Sequence, residues 1–145
     1  MEISQIMSKS VVTVTMDDTL KVVKDIFDNA NFHHVLVVEA QKLCGVISDR
    51  DLLKAISHNI GTASETAKDI ASLNKRAHQI LTRKLITLGP TASVYDAIAL
   101  FNLHKISCIP VIDDLGKPIG LLSWRDIFKI IEHRKTNKVK NDDQH

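Results

Sequence analysis

GVISDRDLLKAI (45–56) and GLLSWRDIFKII (120–131) are two versions of one sentence. Each begins with a glycine in an apolar run and passes through Ser-x-Arg-Asp. Each ends in residues spaced three and four apart, the period of an amphipathic helix. The surrounding chain repeats too. Gln5, Ile6, Thr13 and Phe27 recur as Gln79, Ile80, Thr87 and Phe101, and Ile26 recurs as Leu100. The register slips by one residue only between EAQK (39–42) and DDLGK (113–117), where a polar turn joins two apolar runs and insertions are cheap.

Each copy reads as β-α-β-β-α. A short β-rich run comes first, VVTV (11–14) or LITL (85–88). A helix follows, with Leu20, Val23, Phe27 and Ala30 on one face in the first copy, and Val94, Ala97, Ile98 and Phe101 in the second. Asp17 or Asp18 is expected to cap the first helix, and Thr91 or Ser93 the second. Two continuous apolar runs then predict strands covered on both faces. The last helix starts at Ser48-x-x-Asp51 or Ser123-x-x-Asp126. Copies this small bury only ~60% of their unfolded surface when alone. An α+β fold is therefore expected, with the two β-α-β-β-α repeats packed as one domain around a pseudo-two-fold axis. The division is repeat one at 1–58, linker at 59–76, repeat two at 77–134, and a disordered polar tail at 135–145. Gly61 is expected to end the helix after repeat one, and 64–73 to form a weak linker helix.

Composition is that of an ordinary globular chain: 145 residues, 44% hydrophobic, 25% charged, net charge +2. So small a charge does not point to nucleic acid or an anionic membrane. There is neither an 18-residue apolar run nor a signal-peptide pattern, so a cytoplasmic location is expected. Cys44 and Cys108 read as buried thiols in a reducing compartment. No Cys/His spacing suggests a metal. The adjacent His33 and His34 would point to opposite faces of a strand and ligate one ion poorly.

The repeated Ser-x-x-Asp is first of all a capping box. The serine oxygen accepts from an early helix N–H, and the acid reaches back to the serine N–H. The same geometry suits an anionic ligand, because a helix N-terminus offers free N–H groups and partial positive charge. Arg50 and Arg125 could pair with phosphate as planar forks. The glycines could instead simply allow close approach to the other repeat. Caps alone and ligand seats both remain open on these residues.

Taken together, IPVIDDLGKPIGLLSWRDIFKII (109–131) and its weaker copy VLVVEAQKLCGVISDRDLLKAI (35–56) resemble a tandem pair of cystathionine β-synthase (CBS) domains, and a stand-alone pair is expected. Leu36 stands in the weaker copy where Pro110 stands in the other, and Glu39 stands for Asp113. The resemblance covers roughly 3–132. It implies a regulatory module that binds an adenosine-containing ligand such as AMP, ADP or ATP in the cleft between repeats. It also implies frequent dimerisation, here expected as a homodimer, and a downstream protein partner. In that family Ser/Thr meets phosphate and Asp meets ribose. Carried over, this nominates Ser48 and Asp51 in the first seat, and Ser123 and Asp126 in the second. Arg50 and Arg125 stand beside them. The family places the base against the backbone of the first strands, which match Val12 and Thr13 in one copy and Ile86 and Thr87 in the other, though core packing alone would explain the same residues; Lys84 and Pro110 are nominated beside the second. His34 falls at the cleft-facing strand end, where it could titrate with phosphate. Asp49 opposes an anion at the first seat, whereas the second has neutral Trp124 with Arg83 and Lys84 nearby. The second seat is therefore expected to be tighter. The competing reading is a ligand-free interaction scaffold of the same fold. Catalysis is not expected: no nucleophile–base pair, metal set or glycine-rich phosphate loop is present. Nor is a cofactor expected, beyond an adenine nucleotide as regulatory ligand.

Overall fold

The computed structural model describes residues 1–142. In chain order the elements are β1 Thr13–Thr15, α1 Leu20–Asn29, β2 His34–Glu39, β3 Lys42–Ser48, α2 Asp49–Ala55, α3 Ala67–Ala71, α4 Val94–Leu103, β4 Cys108–Ile112, β5 Pro118–Ser123 and α5 Trp124–Asp142. The fold is α+β, and β-α-β-β-α stands complete in the first repeat.

The second repeat departs from that pattern at its first strand. In the first repeat β1 runs parallel to β2, with Thr13 beside Leu36 and Val14 beside Val37. The LITL run forms no strand and makes only one parallel bridge, Leu88 to Val111. The cause lies at two prolines: Pro90 has no N–H to carry the ladder beyond Leu88, and Pro110 has none to carry it back before Leu88. The Leu36 N–H donates to the Val12 carbonyl at 2.9 Å. Pro110 occupies the matching position and has no N–H to give.

The spatial units are not the sequence repeats. One unit comprises 12–85, and the other 1–11 with 86–142. Each repeat's leading segment packs on the other repeat's hairpin. In the first unit Ala77 N–H donates to Asp18 O at 2.8 Å, and Thr82 and Val46 exchange both backbone bonds at 2.9 and 3.2 Å. In the second, Ile3 N–H donates to Ala92 O at 2.9 Å, and Ser8 and Leu121 exchange two bonds at 2.9 Å. Each core follows this division. Val14, Leu20, Val23, Val35, Val37, Ile47 and Leu52 gather around Ala77 and Leu81. Ala97, Phe101, Ile109, Val111, Leu122 and Ile127 gather around Ile3.

The repeated glycines make this exchange possible. A Cβ on Gly45 would sit 2.5 Å from Leu81 Cδ1 and 3.0 Å from the Thr82 carbonyl oxygen. A Cβ on Gly120 would overlap the Met7 side chain. Close approach to the other repeat is thus what both glycines serve.

Turn chemistry explains the one-residue slip. The β2–β3 turn uses Ala40 and Gln41, both at positive φ (49° and 66°), between the paired Glu39 and Lys42. The longer β4–β5 turn places Gly116 at φ 83°. There the Asp113 carboxylate accepts from Leu115 N–H and Lys117 N–H, both at 2.9 Å.

Several local expectations are corrected. Thr19, not Asp17 or Asp18, is the N-cap of α1, and it makes no side-chain cap bond. Asp18 is turned back to accept from Thr15 N–H at 2.7 Å. Ser93 caps α4, in a reciprocal box with Asp96. Helix α2 ends at Ala55, where Ile56 becomes extended; Gly61 sits in a later turn. The linker helix α3 is short and is capped by Thr66 with Asp69. The tail expected to be disordered continues α5 through Asp142, because no glycine or proline follows Trp124 and helix-favouring Lys, Arg and Glu fill the exposed turns. Thr136 Oγ1 donates to Glu132 O at 3.1 Å within this stretch. The remainder of that tail, 143–145, lies outside the described residues. Cys108 is buried, and burial pushes its thiol up to about 12. Cys44 is only half-buried, because its strand face is incompletely covered.

Gly45→Ala should cost ~1–3 kcal/mol by overpacking against backbone as well as side chain. Gly120→Ala should cost less, since the Met7 side chain is long and can rotate away. Urea unfolding of both variants checks this, and an unchanged midpoint for Gly45→Ala would contradict it.

Candidate ligand site

Each hairpin delivers its motif serine to the start of a helix. His34 pairs with Ser48 across β2–β3, and Cys108 with Ser123 across β4–β5. The apolar strands end there because the Ser and the Asp three residues later satisfy the start of a helix.

Both capping boxes form. Asp51 N–H donates to Ser48 Oγ at 3.1 Å, and Ser48 N–H to Asp51 Oδ2 at 2.9 Å. In the second unit Ser123 N–H and Oγ–H both donate to Asp126 Oδ2, at 2.8 and 3.1 Å, and Asp126 N–H reaches Ser123 Oγ at 3.4 Å. Such a cap contributes about 1 kcal/mol. Among the described residues the other carboxylate oxygen, Oδ1, of Asp51 and of Asp126 takes part in no hydrogen bond, so each acid keeps an acceptor after capping. Arg50 and Arg125 are exposed immediately before these acids.

The two helices are unequal. Helix α2 has 7 residues and α5 has 19. The residue after the motif serine also differs. Asp49 Oδ2 lies 3.1 Å from His33 Nδ1, and Asp49 N–H donates to His33 O at 3.0 Å. His33 thereby faces the carboxylate that would oppose an anion at the first candidate seat. The strand register that puts His34 opposite Ser48 is what brings its neighbour His33 to Asp49, a pairing that spacing alone does not show. In the second unit Trp124 Nε1–H donates to Ile106 O at 3.0 Å, and its ring lies 5.3 Å from Phe101 and 6.2 Å from Phe128. The indole is an anchor for the start of α5 as well as a neutral neighbour of the motif.

The nominated residues divide between the units. Thr13, His34, Ser48, Arg50 and Asp51 all lie in the first. Thr13 is exposed on β1, the strand beside β2. Ile86, Pro110, Ser123, Arg125 and Asp126 all lie in the second. Lys84 falls in the first unit with Arg83, which donates to His78 O at 3.3 Å. Among the described residues no group of His, Cys, Asp and Glu is arranged to hold a metal, and no helix is long and apolar enough to cross a membrane.

His34 is half-buried, and burial lowers its pKa below the usual 6.5; the Asp49 charge opposes that shift without cancelling it. A histidine whose folded pKa is depressed binds its proton more readily when unfolded, so its contribution to stability is lost as pH falls through 6.5. The wild-type urea midpoint should therefore fall more between pH 7.5 and pH 5.5 than that of His34→Gln. Parallel pH dependences for the two proteins would contradict this.

The CBS domain family model matches residues 3–58 and again 77–133. A CBS domain-containing protein of Dictyostelium discoideum is 28% identical over 131 residues, covering 89% of this chain and 90% of that one. An uncharacterized protein of Methanocaldococcus jannaschii is 28% identical over 123 residues. That match covers 85% of this chain but only 37% of the relative, so this chain spans little more than a third of its length. Among solved structures, the CBS domain pair of protein MJ0100 in complex with 5′-methylthioadenosine and S-adenosyl-L-methionine superposes with a TM-score of 0.73 at 25% identity, covering 92% of this chain and 98% of that one. With two matched copies, the repeated hairpin-to-helix motif and this similarity in fold, the chain belongs to the CBS-domain family.

Proposed function

We propose that this chain is a regulatory, non-catalytic module that binds an adenosine-containing ligand at its Ser-x-x-Asp helix starts. The observation that carries the reading is the α5 N-terminus. There Ser123 caps the helix, Asp126 retains an unused carboxylate oxygen, and Arg125 is exposed beside it. A helix start attracts phosphate or carboxylate, arginine adds a fork of donors, and a carboxylate can accept from both hydroxyls of a ribose. The MJ0100 pair, bound to two adenosyl compounds, supports the class of ligand. The second seat is the tighter one: its helix is longer, and the residue after its serine is uncharged. In the first seat Ser48, Arg50, Asp51, Thr13 and His34 play the corresponding parts at lower affinity. Two unpaired thiols are consistent with a cytoplasmic location.

Calorimetric titration with AMP, ADP and ATP tests the reading. At least one should bind, and Asp126→Ala should weaken it about tenfold or more, with a smaller effect from Asp51→Ala. Binding lost in Asp51→Ala and retained in Asp126→Ala would reverse the seats. The completed caps favour a second reading, a ligand-free scaffold in which both serines do nothing but cap. That reading predicts no heat with any adenosyl ligand and no nucleotide released from the acid-denatured protein.

The same module is proposed to be a homodimer. Leu53 on α2 and Phe128 and Ile131 on α5 are 65%, 58% and 57% exposed, more apolar surface than a solvated helix face usually shows. Sedimentation at micromolar concentration should give a dimer; a monomer throughout would end the idea.

A further inference from the structure

Helix α5 outruns the unit that starts it. Ile127 is its buried residue, and every residue from Ile131 to Asp142 is exposed. That stretch rises about 18 Å along its axis with its side chains largely in solvent. Isolated helices this short are marginal in water, so a helix held this far out gains from a partner laid along its side.

The two sides of the stretch differ. At 3.6 residues per turn, Arg134, Lys135, Lys138 and Val139 share one side, which Asp142 ends, and His133, Thr136, Asn137 and Lys140 share the other. On the second side the polar groups are turned to their own helix. Thr136 Oγ1 donates to Glu132 O at 3.1 Å, and Asn137 Nδ2 lies 3.1 Å from His133 Nε2. On the first side none of the cations forms an ion pair among the described residues. Val139, 52% exposed, stands among them.

These charges decide what fits. A second copy does not. Laid parallel it sets Lys135 on Lys135 and Lys138 on Lys138, and laid antiparallel over the same stretch it sets Lys135 on Lys138; both juxtapositions repel. Nucleic acid would use the cations through its phosphates and leave Val139 idle. A helix whose acids flank an aliphatic residue uses both, with ion pairs at the edges and side-chain packing between them.

We propose that residues 134–142 form a docking ridge for an acidic amphipathic helix of another protein. The ridge begins beyond Ile131, where the proposed dimer face ends, and it is independent of the adenosine-ligand reading.

The test titrates the full chain, by calorimetry at low salt, with a synthetic helix-forming peptide of Glu, Ala and Leu in which acids flank a leucine stripe. The peptide should bind, and binding should weaken as salt rises. Arg134→Gln, Lys135→Gln and Lys138→Gln combined should weaken it about tenfold, and Val139→Ala about threefold. The urea midpoint of both variants should stay at the wild-type value; a lowered midpoint would show that the stretch packs on its own chain and overturn the ridge. No binding of the peptide by wild type, or equal binding by the triple variant, overturns the proposal. Tighter binding of duplex DNA or phosphatidylserine vesicles than of the peptide, or an affinity untouched by Val139→Ala, makes the stretch a general anion surface and overturns it as well.

Discussion

The close backbone approach at Gly45 and Gly120 is the constraint on which the rest depends. Each glycine lies in the second strand of a hairpin, and across each runs a segment from the other sequence repeat. That segment completes the hydrogen bonding of the strand and fills the core with Ala77 and Leu81 on one side and Ile3 on the other. The exchange explains why copies this short fold at all. Neither has enough apolar surface alone, and each takes its closing segment from the other. The glycine and the capping serine are three residues apart on one strand. The motif therefore both seats the exchanged segment and starts the next helix.

That economy bears on function. The Ser-x-x-Asp box satisfies the helix start by itself, so the proposed site needs no ligand to hold its geometry. A preformed site of this kind needs little reorganisation to accept an anion, and affinity is not spent on ordering it. Because the caps serve folding as well, losing one must weaken stability as well as binding.

The units differ where a symmetrical repeat would not. Asp49 faces His33, while Trp124 is fastened to Ile106 and packed at a tilt between Phe101 and Phe128. Leu36 completes a strand that Pro110 interrupts. These differences underlie the proposed preference for the second seat, and they leave the first unit with the more fully hydrogen-bonded sheet.

Much of the chain was legible from local chemistry. The repeated Gly-x-x-Ser-x-Arg-Asp, the 3–4 spacing of Leu20, Val23 and Phe27, and the slip in the turn are patterns over a few residues, and turns, caps and amphipathic helices are set at that range. The capping boxes of Ser48 and Ser123 formed as their spacing required, and of the two caps offered for α4 it is Ser93 that serves. What the sequence could not show was pairing over long range. Nothing local says that Ala77 packs on Asp18, that Ile3 joins the second core, or that Lys84 belongs with the first unit. Those choices depend on which segment reaches an open strand edge, and only the assembled sheet decides it. The loss of the LITL strand was the intermediate case. The prolines were visible from the start, but their consequence required knowing that their N–H groups would have carried the ladder on either side of Leu88.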